Sequence, residues 1–134
     1  MLPKILVFTP IYDGKEYCID EFIGYAEKLS YPNMKHIFID NSQTSDFSKK
    51  LEGKGLTVYR VDRGSNSREA LARAQNFARR IALDEDYDYI FSLESDIMCQ
   101  PDILQRLIKH GKDVVSGLYE IGELGKIRFP CITY

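Results

Sequence analysis

The chain has 134 residues, of which 44% are hydrophobic and 28% charged, with a formal net charge of −2. That suffices for one domain with a buried core, and the balance of charge gives no electrostatic hold on nucleic acid. No apolar run approaches the roughly 18 residues that a membrane span needs, and "MLPKILVFTP" lacks the long apolar core and cleavage site of a signal peptide.

Taken in chain order, "KILVFTP" (4–10) is an apolar run ending at Pro10 and reads as a buried strand. Ile19, Phe22, Ile23, Ala26 and Leu29 recur at helical spacing over 16–30, and Pro32 stops the pattern. "HIFID" (36–40) is a second strand. "SDFSKKLEGKG" predicts a brief helix capped by Ser45 or Asp46 and closed by glycines. "LTVYRV" (56–61) is a third strand, rich in β-branched and aromatic residues, and "RGSNS" (63–67) is a loop. Ala70, Leu71, Ala74, Phe77, Ala78 and Ile81 form one stripe of a helix over 67–83. "DYIFSLE" (88–94) is a fourth strand, and a helix over 101–110 starts near Pro101 and stops before Gly111. "DVVSGLY" (113–119) reads as a fifth strand, and the Gly-punctuated tail has room for one more strand or hairpin arm.

Strands alternating with helices predict an α/β fold: a mostly parallel, Rossmann-like sheet with helices on both faces, in a single domain spanning 1–134. Ligands of such sheets bind outside the carboxyl ends of the strands. Strand one ends in Tyr12 and Asp13, strand two in Asp40 and Ser42, and strand four in Glu94 and Asp96. Three strand ends therefore bring acids to one edge. Two carboxylates as close as Glu94 and Asp96 repel each other and lose hydration where buried, so a cation should compensate them. Cys18, Cys99 and Cys131 are odd in number and far apart, which speaks for a reducing cytoplasm rather than a disulfide framework. Arg68 and Arg73 are within reach of an anion, Arg68 lying nearer the helix start after "RGSNS". That loop lacks the Gly-x-Gly-x-x-Gly spacing of a dinucleotide site.

These motifs together resemble the nucleotide-sugar-binding part of a GT-A glycosyltransferase, nearest the inverting family two. The matches are Pro10-Ile11-Tyr12-Asp13, Asp40-Asn41-Ser42, Asn76-Phe77-Ala78, the Asp-x-Asp-like Glu94-Ser95-Asp96, and Pro101-Asp102-Ile103-Leu104, spread over about residues 4–118. The resemblance implies that Tyr12 packs on the nucleotide base and that Asp40 accepts a hydrogen bond from base or ribose. It implies that Asp96, with Glu94 near it, holds Mn²⁺ or Mg²⁺ against the diphosphate of a UDP- or GDP-sugar, whose leaving charge the metal neutralises. Pro10, Asp13, Ser42, Arg68, Arg73 and Ser95 complete the expected nucleotide-binding set.

Inversion requires a carboxylate base for the acceptor hydroxyl, which is of unknown identity here. Glu120 and Glu123 are the late acids, and the acceptor-binding half is expected to be short or absent. Two other readings are open: a degenerate, non-catalytic nucleotide-binding module, and a sugar nucleotidyltransferase, whose expected Gly-rich basic loop is represented only by Gly14-Lys15. Self-association through an uncovered sheet edge is also expected.

Overall fold

The first apolar run becomes strand β1 (Ile5–Ile11), with all seven residues buried, in a computed structural model that describes residues 2–118. Burial on both faces explains why the run is continuous rather than alternating. β2 (Met34–Asp40) lies parallel to β1 in a register running from Ile5↔Met34 to Ile11↔Asp40. β3 (Val58–Arg60) extends the sheet beyond β2, and β4 (Tyr89–Ser92) pairs with the other side of β1 from Ile5↔Tyr89 to Phe8↔Ser92. The order is β3-β2-β1-β4, all parallel. The chain winds outward from β1 to β3, then returns to the far side of β1. The strand order therefore reverses between β1 and β4, where a crevice opens at the carboxyl edge.

Helices cover both faces. Helix α1 (Glu16–Ala26), α2 (Asp46–Glu52) and α4 (Ile103–Ile108) pack on one face, where Phe22, Phe38, Leu51 and Leu104 share a core with Ile5 and Val7. The 18-residue α3 (Ser67–Asp84) covers the other, setting Ala74, Ala78 and Ala82 against Leu6, Phe8, Ile37 and Ile39. Alanines at a spacing of four give α3 a smooth stripe that lies close on the strands. No helix among the described residues is long and apolar enough to cross a membrane.

One polar pair sits inside the first core. His36 lies with its ring 4.5 Å from that of Phe38 and with Nε2 2.8 Å from Thr9 Oγ1. Burial pushes its pKa down from 6.5 to about 4, so the ring is neutral in the folded state.

The bounds of β2, β3, β4 and α4 shift by one or two residues at an end from those expected, and four further differences have a local cause. β1 runs through Pro10 instead of ending there. Phe8 points its backbone toward β4 and accepts from Leu93 N–H, so Pro10, two residues on, directs its missing N–H past the last β4 pairing. α1 ends at Ala26, and the following turn brings Ser30 N–H onto the Pro101 carbonyl. Ser45 occupies the cap position of α2 but makes no side-chain cap bond. Residues 113–118 form no strand. Val114 is 89% exposed, and β propensity without a ladder partner does not hold a chain extended. The tail beyond 118, with Glu120, Glu123 and Cys131, lies outside the described residues.

Candidate functional site

The crevice between β1 and β4 is a cavity of about 170 Å³ lined by Tyr12, Lys15, Asn41, Arg63, Glu94 and Ser95, with Pro10 and Ile11 at its floor. Arg63 also borders a wider polar cleft of about 510 Å³ reaching Ser42 and Arg60. The parallel register places these groups together: β1, β2 and β4 end at the same edge, and each hands its next residues to the same mouth.

From the β1 end, Tyr12 is extended and half-buried. Its ring is bracketed. A Cβ on Gly14 would sit 2.2 Å from the ring, so only glycine fits there. On a ring face, the Arg63 guanidinium lies 4.8 Å from the centroid, a cation–π contact. Arg63 is held further by donating to Asn41 Oδ1 at 2.7 Å. Arg60 donates to the Ser42 carbonyl at 2.7 Å.

From the β2 end, Asp40 is fully buried. Its Oδ1 accepts from Ser42 N–H at 2.9 Å and from Ser42 Oγ–H at 2.6 Å. The same Ser42 hydroxyl accepts from Asp13 N–H at 2.9 Å, tying the β2 loop to the β1 loop. Asp40 Oδ2 is buried and has no partner among the described residues, an arrangement that leaves acceptor capacity for a donor group.

From the β4 end, the chain turns at Glu94, whose carbonyl accepts from Ile97 N–H at 3.1 Å. Ser95 is buried, and its carbonyl accepts from the Cys18 thiol at 3.4 Å. The thiol also faces the Lys15 carbonyl at 3.4 Å, so one sulfur bridges the two loops. Asp96 Oδ2 meets Lys15 Nζ at 2.6 Å. That carboxylate raises the Lys15 pKa above its ordinary value, chiefly through the hydrogen bond. Glu94 is pushed up, first by loss of hydration and then by the neighbouring Asp96 carboxylate.

The expected residues therefore divide. Pro10, Tyr12, Glu94 and Ser95 line the crevice; Asp96 stands at its rim through Lys15. Asp13 and Ser42 contribute to the loop scaffold around Asp40. Arg73 is committed elsewhere, to Asp62 at 2.8 Å and Glu69 at 2.5 Å. Glu69 also accepts from the Ser65 N–H and hydroxyl, and these bonds with Arg73 lower its pKa to about 2. This cluster caps α3: Asn66 accepts from Glu69 N–H, while Glu69 reaches back to Ser65. Gly64 permits it, having φ +70° and no room for a Cβ beside the Glu69 carboxylate. Arg68 is exposed on the first turn of α3 and does not line the crevice.

Lys15 and Arg63 were not among the expected site residues. The signal for Arg63 was present, since it follows the carboxyl end of β3, the one strand end left out. Among the described residues, no group of three or more His, Cys, Asp or Glu side chains gathers. Glu94 lines the crevice and Asp96 stands at its rim, and both are carboxylates, the donor type that a hard cation prefers.

A family model described as Anp1 matches residues 43–118, more than half of the chain. No curated protein matches by sequence. Among solved structures, the chain is similar to the mannosyltransferase PcManGT from Pyrobaculum calidifontis, in complex with GDP-Man and Mn²⁺. The identity is 20% and the TM-score 0.63, over 88% of this chain and 35% of that one. It is similar to 4-diphosphocytidyl-2C-methyl-D-erythritol synthase at 14% identity and TM-score 0.61, over 95% of this chain and 67% of that one. It is also similar to S. aureus TarS, in complex with UDP-GlcNAc, at 18% identity and TM-score 0.57, over 79% and 30% of the two chains. The chain thus spans about a third of the length of PcManGT and of the TarS 1-349 chain.

Proposed function

The chain belongs to the Anp1 family and has the GT-A glycosyltransferase fold, and from that premise we propose that the β1–β4 crevice binds the nucleotide-diphosphate sugar of a metal-dependent glycosyl transfer, with a GDP-sugar, mannose first, as donor. The observation that carries this reading is the meeting of the β1, β2 and β4 ends around one crevice, with Glu94 and Asp96 at its mouth. The Mn²⁺ and GDP-Man of PcManGT support the choice of metal and donor.

Each residue then has a task. Tyr12 and Arg63 present a stacked aromatic–guanidinium pair to the base, and guanidinium planes stack on bases much as rings do. Asp40 fixes the β1 and β2 loops through Ser42 and so supports the crevice from behind rather than lining it. Glu94 and Asp96 would hold Mn²⁺ or Mg²⁺. The ion, when bound, offsets the charge that grows on the leaving diphosphate. Transfer with inversion further needs a base for the acceptor hydroxyl, and Glu120 and Glu123 are the proposed candidates.

Calorimetric titration of GDP and UDP, with and without Mn²⁺, tests the donor site. Mn²⁺-dependent binding of GDP that Asp96→Ala abolishes is the expected result. A folded protein that binds neither nucleotide refutes it and favours a degenerate module. Pyrophosphate release from a nucleoside triphosphate and a sugar phosphate would instead identify a sugar nucleotidyltransferase. The anomeric configuration of the transferred sugar, read by NMR, decides whether transfer inverts.

A further inference from the structure

We infer that Lys15 is an exchangeable counter-ion of the donor site: it holds Asp96 until a divalent cation takes that carboxylate, and then moves to the donor's diphosphate. This rests on the donor-site reading above and adds to it a residue that neither the strand-end rule nor the motif resemblance assigned.

The root of the side chain is fixed, and its tip is held only by the Asp96 carboxylate. Lys15 closes the short 3-10 turn Asp13–Lys15, with its N–H on the Tyr12 carbonyl at 2.9 Å. Its own carbonyl is tied to the Ser95 carbonyl through the Cys18 thiol. The backbone that carries the ammonium and the loop that carries Asp96 therefore both contact one thiol. The ion pair itself is open to water, with side-chain exposures of 27% for Lys15 and 42% for Asp96. A pair so exposed is weak and yields to a stronger partner.

The other cations near the crevice are differently placed. Arg63 is held by Asn41 and the Tyr12 ring, and Arg60 by the Ser42 carbonyl. Only Lys15, among these three, is paired with a side chain that the donor site assigns to the metal. With both acids ionised, Glu94, Asp96 and Lys15 carry one net negative charge; a divalent cation makes the group positive. The ammonium then faces like charge at Asp96, while the crevice it already lines with Tyr12 and Glu94 would hold the anionic diphosphate. Lysine suits this exchange because it is a point charge on a flexible stem. Metal and nucleotide should consequently bind cooperatively, each removing the other's competitor.

The test is Mn²⁺ titration of the 134-residue chain, followed by electron paramagnetic resonance of free Mn²⁺, with and without GDP. Lys15→Met should bind Mn²⁺ alone about three- to tenfold more tightly than wild type and Mn²⁺–GDP about three- to tenfold more weakly. Lys15→Arg, which keeps the charge, should restore much of the coupling. Equal Mn²⁺ affinity in wild type and Lys15→Met, with Mn²⁺-dependent GDP binding intact, overturns the inference and leaves the donor site standing. Tighter binding of both ligands by Lys15→Met also overturns it, because Lys15 would then only obstruct. A folded wild type that binds neither Mn²⁺ nor GDP removes the donor-site reading and this inference together.

Discussion

Asp40 ends β2 and Asp96 follows β4, the two strands that flank β1, yet their surroundings are opposite. Asp40 is fully buried and bonded through one oxygen to its own loop, whereas Asp96 is open to water and paired with a lysine from another element. A carboxylate enclosed by neutral donors becomes part of the scaffold, because removing it strands those donors. A carboxylate held only by an exposed cation can change partner at little cost. The edge therefore combines an enclosed acid that shapes the loops with an exposed one whose single ion pair is weak.

The contrast can be broken most severely at Asp40. Asp40→Ala should cost about 3 kcal/mol in urea unfolding, while Asp40→Asn, which keeps an acceptor for Ser42, should cost less than half of that. Loss of less than about 1 kcal/mol in Asp40→Ala would put it in the same class as Asp96. Next in size is an acid effect from His36. Its folded pKa of about 4 lies below its ordinary 6.5, so the unfolded chain binds the proton first. The stability it supports is complete above pH 6.5, declines as pH falls toward 4, and amounts to about 3 kcal/mol in all. His36→Phe should flatten that slope, whereas Asp96→Ala should not. For Asp96→Ala, Mn²⁺-dependent GDP affinity should fall by tenfold or more, about 1.4 kcal/mol, with stability changed by under about 1 kcal/mol. The smallest contrast lies away from the crevice: Asn66→Ala should lower stability by about 1 kcal/mol through the α3 cap and leave GDP binding unchanged.

The fold was legible where periodicity and burial agree. β1, β2 and α3 have patterns that only their observed environments satisfy, and the position of the site followed from parallel strands ending at one edge. The fifth strand was not legible. "DVVSG" has strand composition, but composition does not state whether a ladder partner is present. Tyr12, Glu94 and Ser95 line the crevice as the strand ends implied, because a strand end fixes the direction of the next few residues. Lys15 and Arg63 were missed, and Arg73 was placed too near, for a common reason. Long cationic side chains choose their anion in three dimensions, and local spacing does not encode whether Arg73 prefers Asp62 or a phosphate.

Pro10 brings a final consequence. Leu93 N–H still bonds the Phe8 carbonyl, and the next rung on that side would have required the nitrogen of Pro10. The proline acts as the stop on a zip. Up to Phe8 the two strands are fastened; beyond it Pro10 offers the acidic loop no donor. The mouth of the crevice thus lies where a hydrogen atom is missing near the end of the most buried strand, a feature that the backbone carries before any ligand arrives.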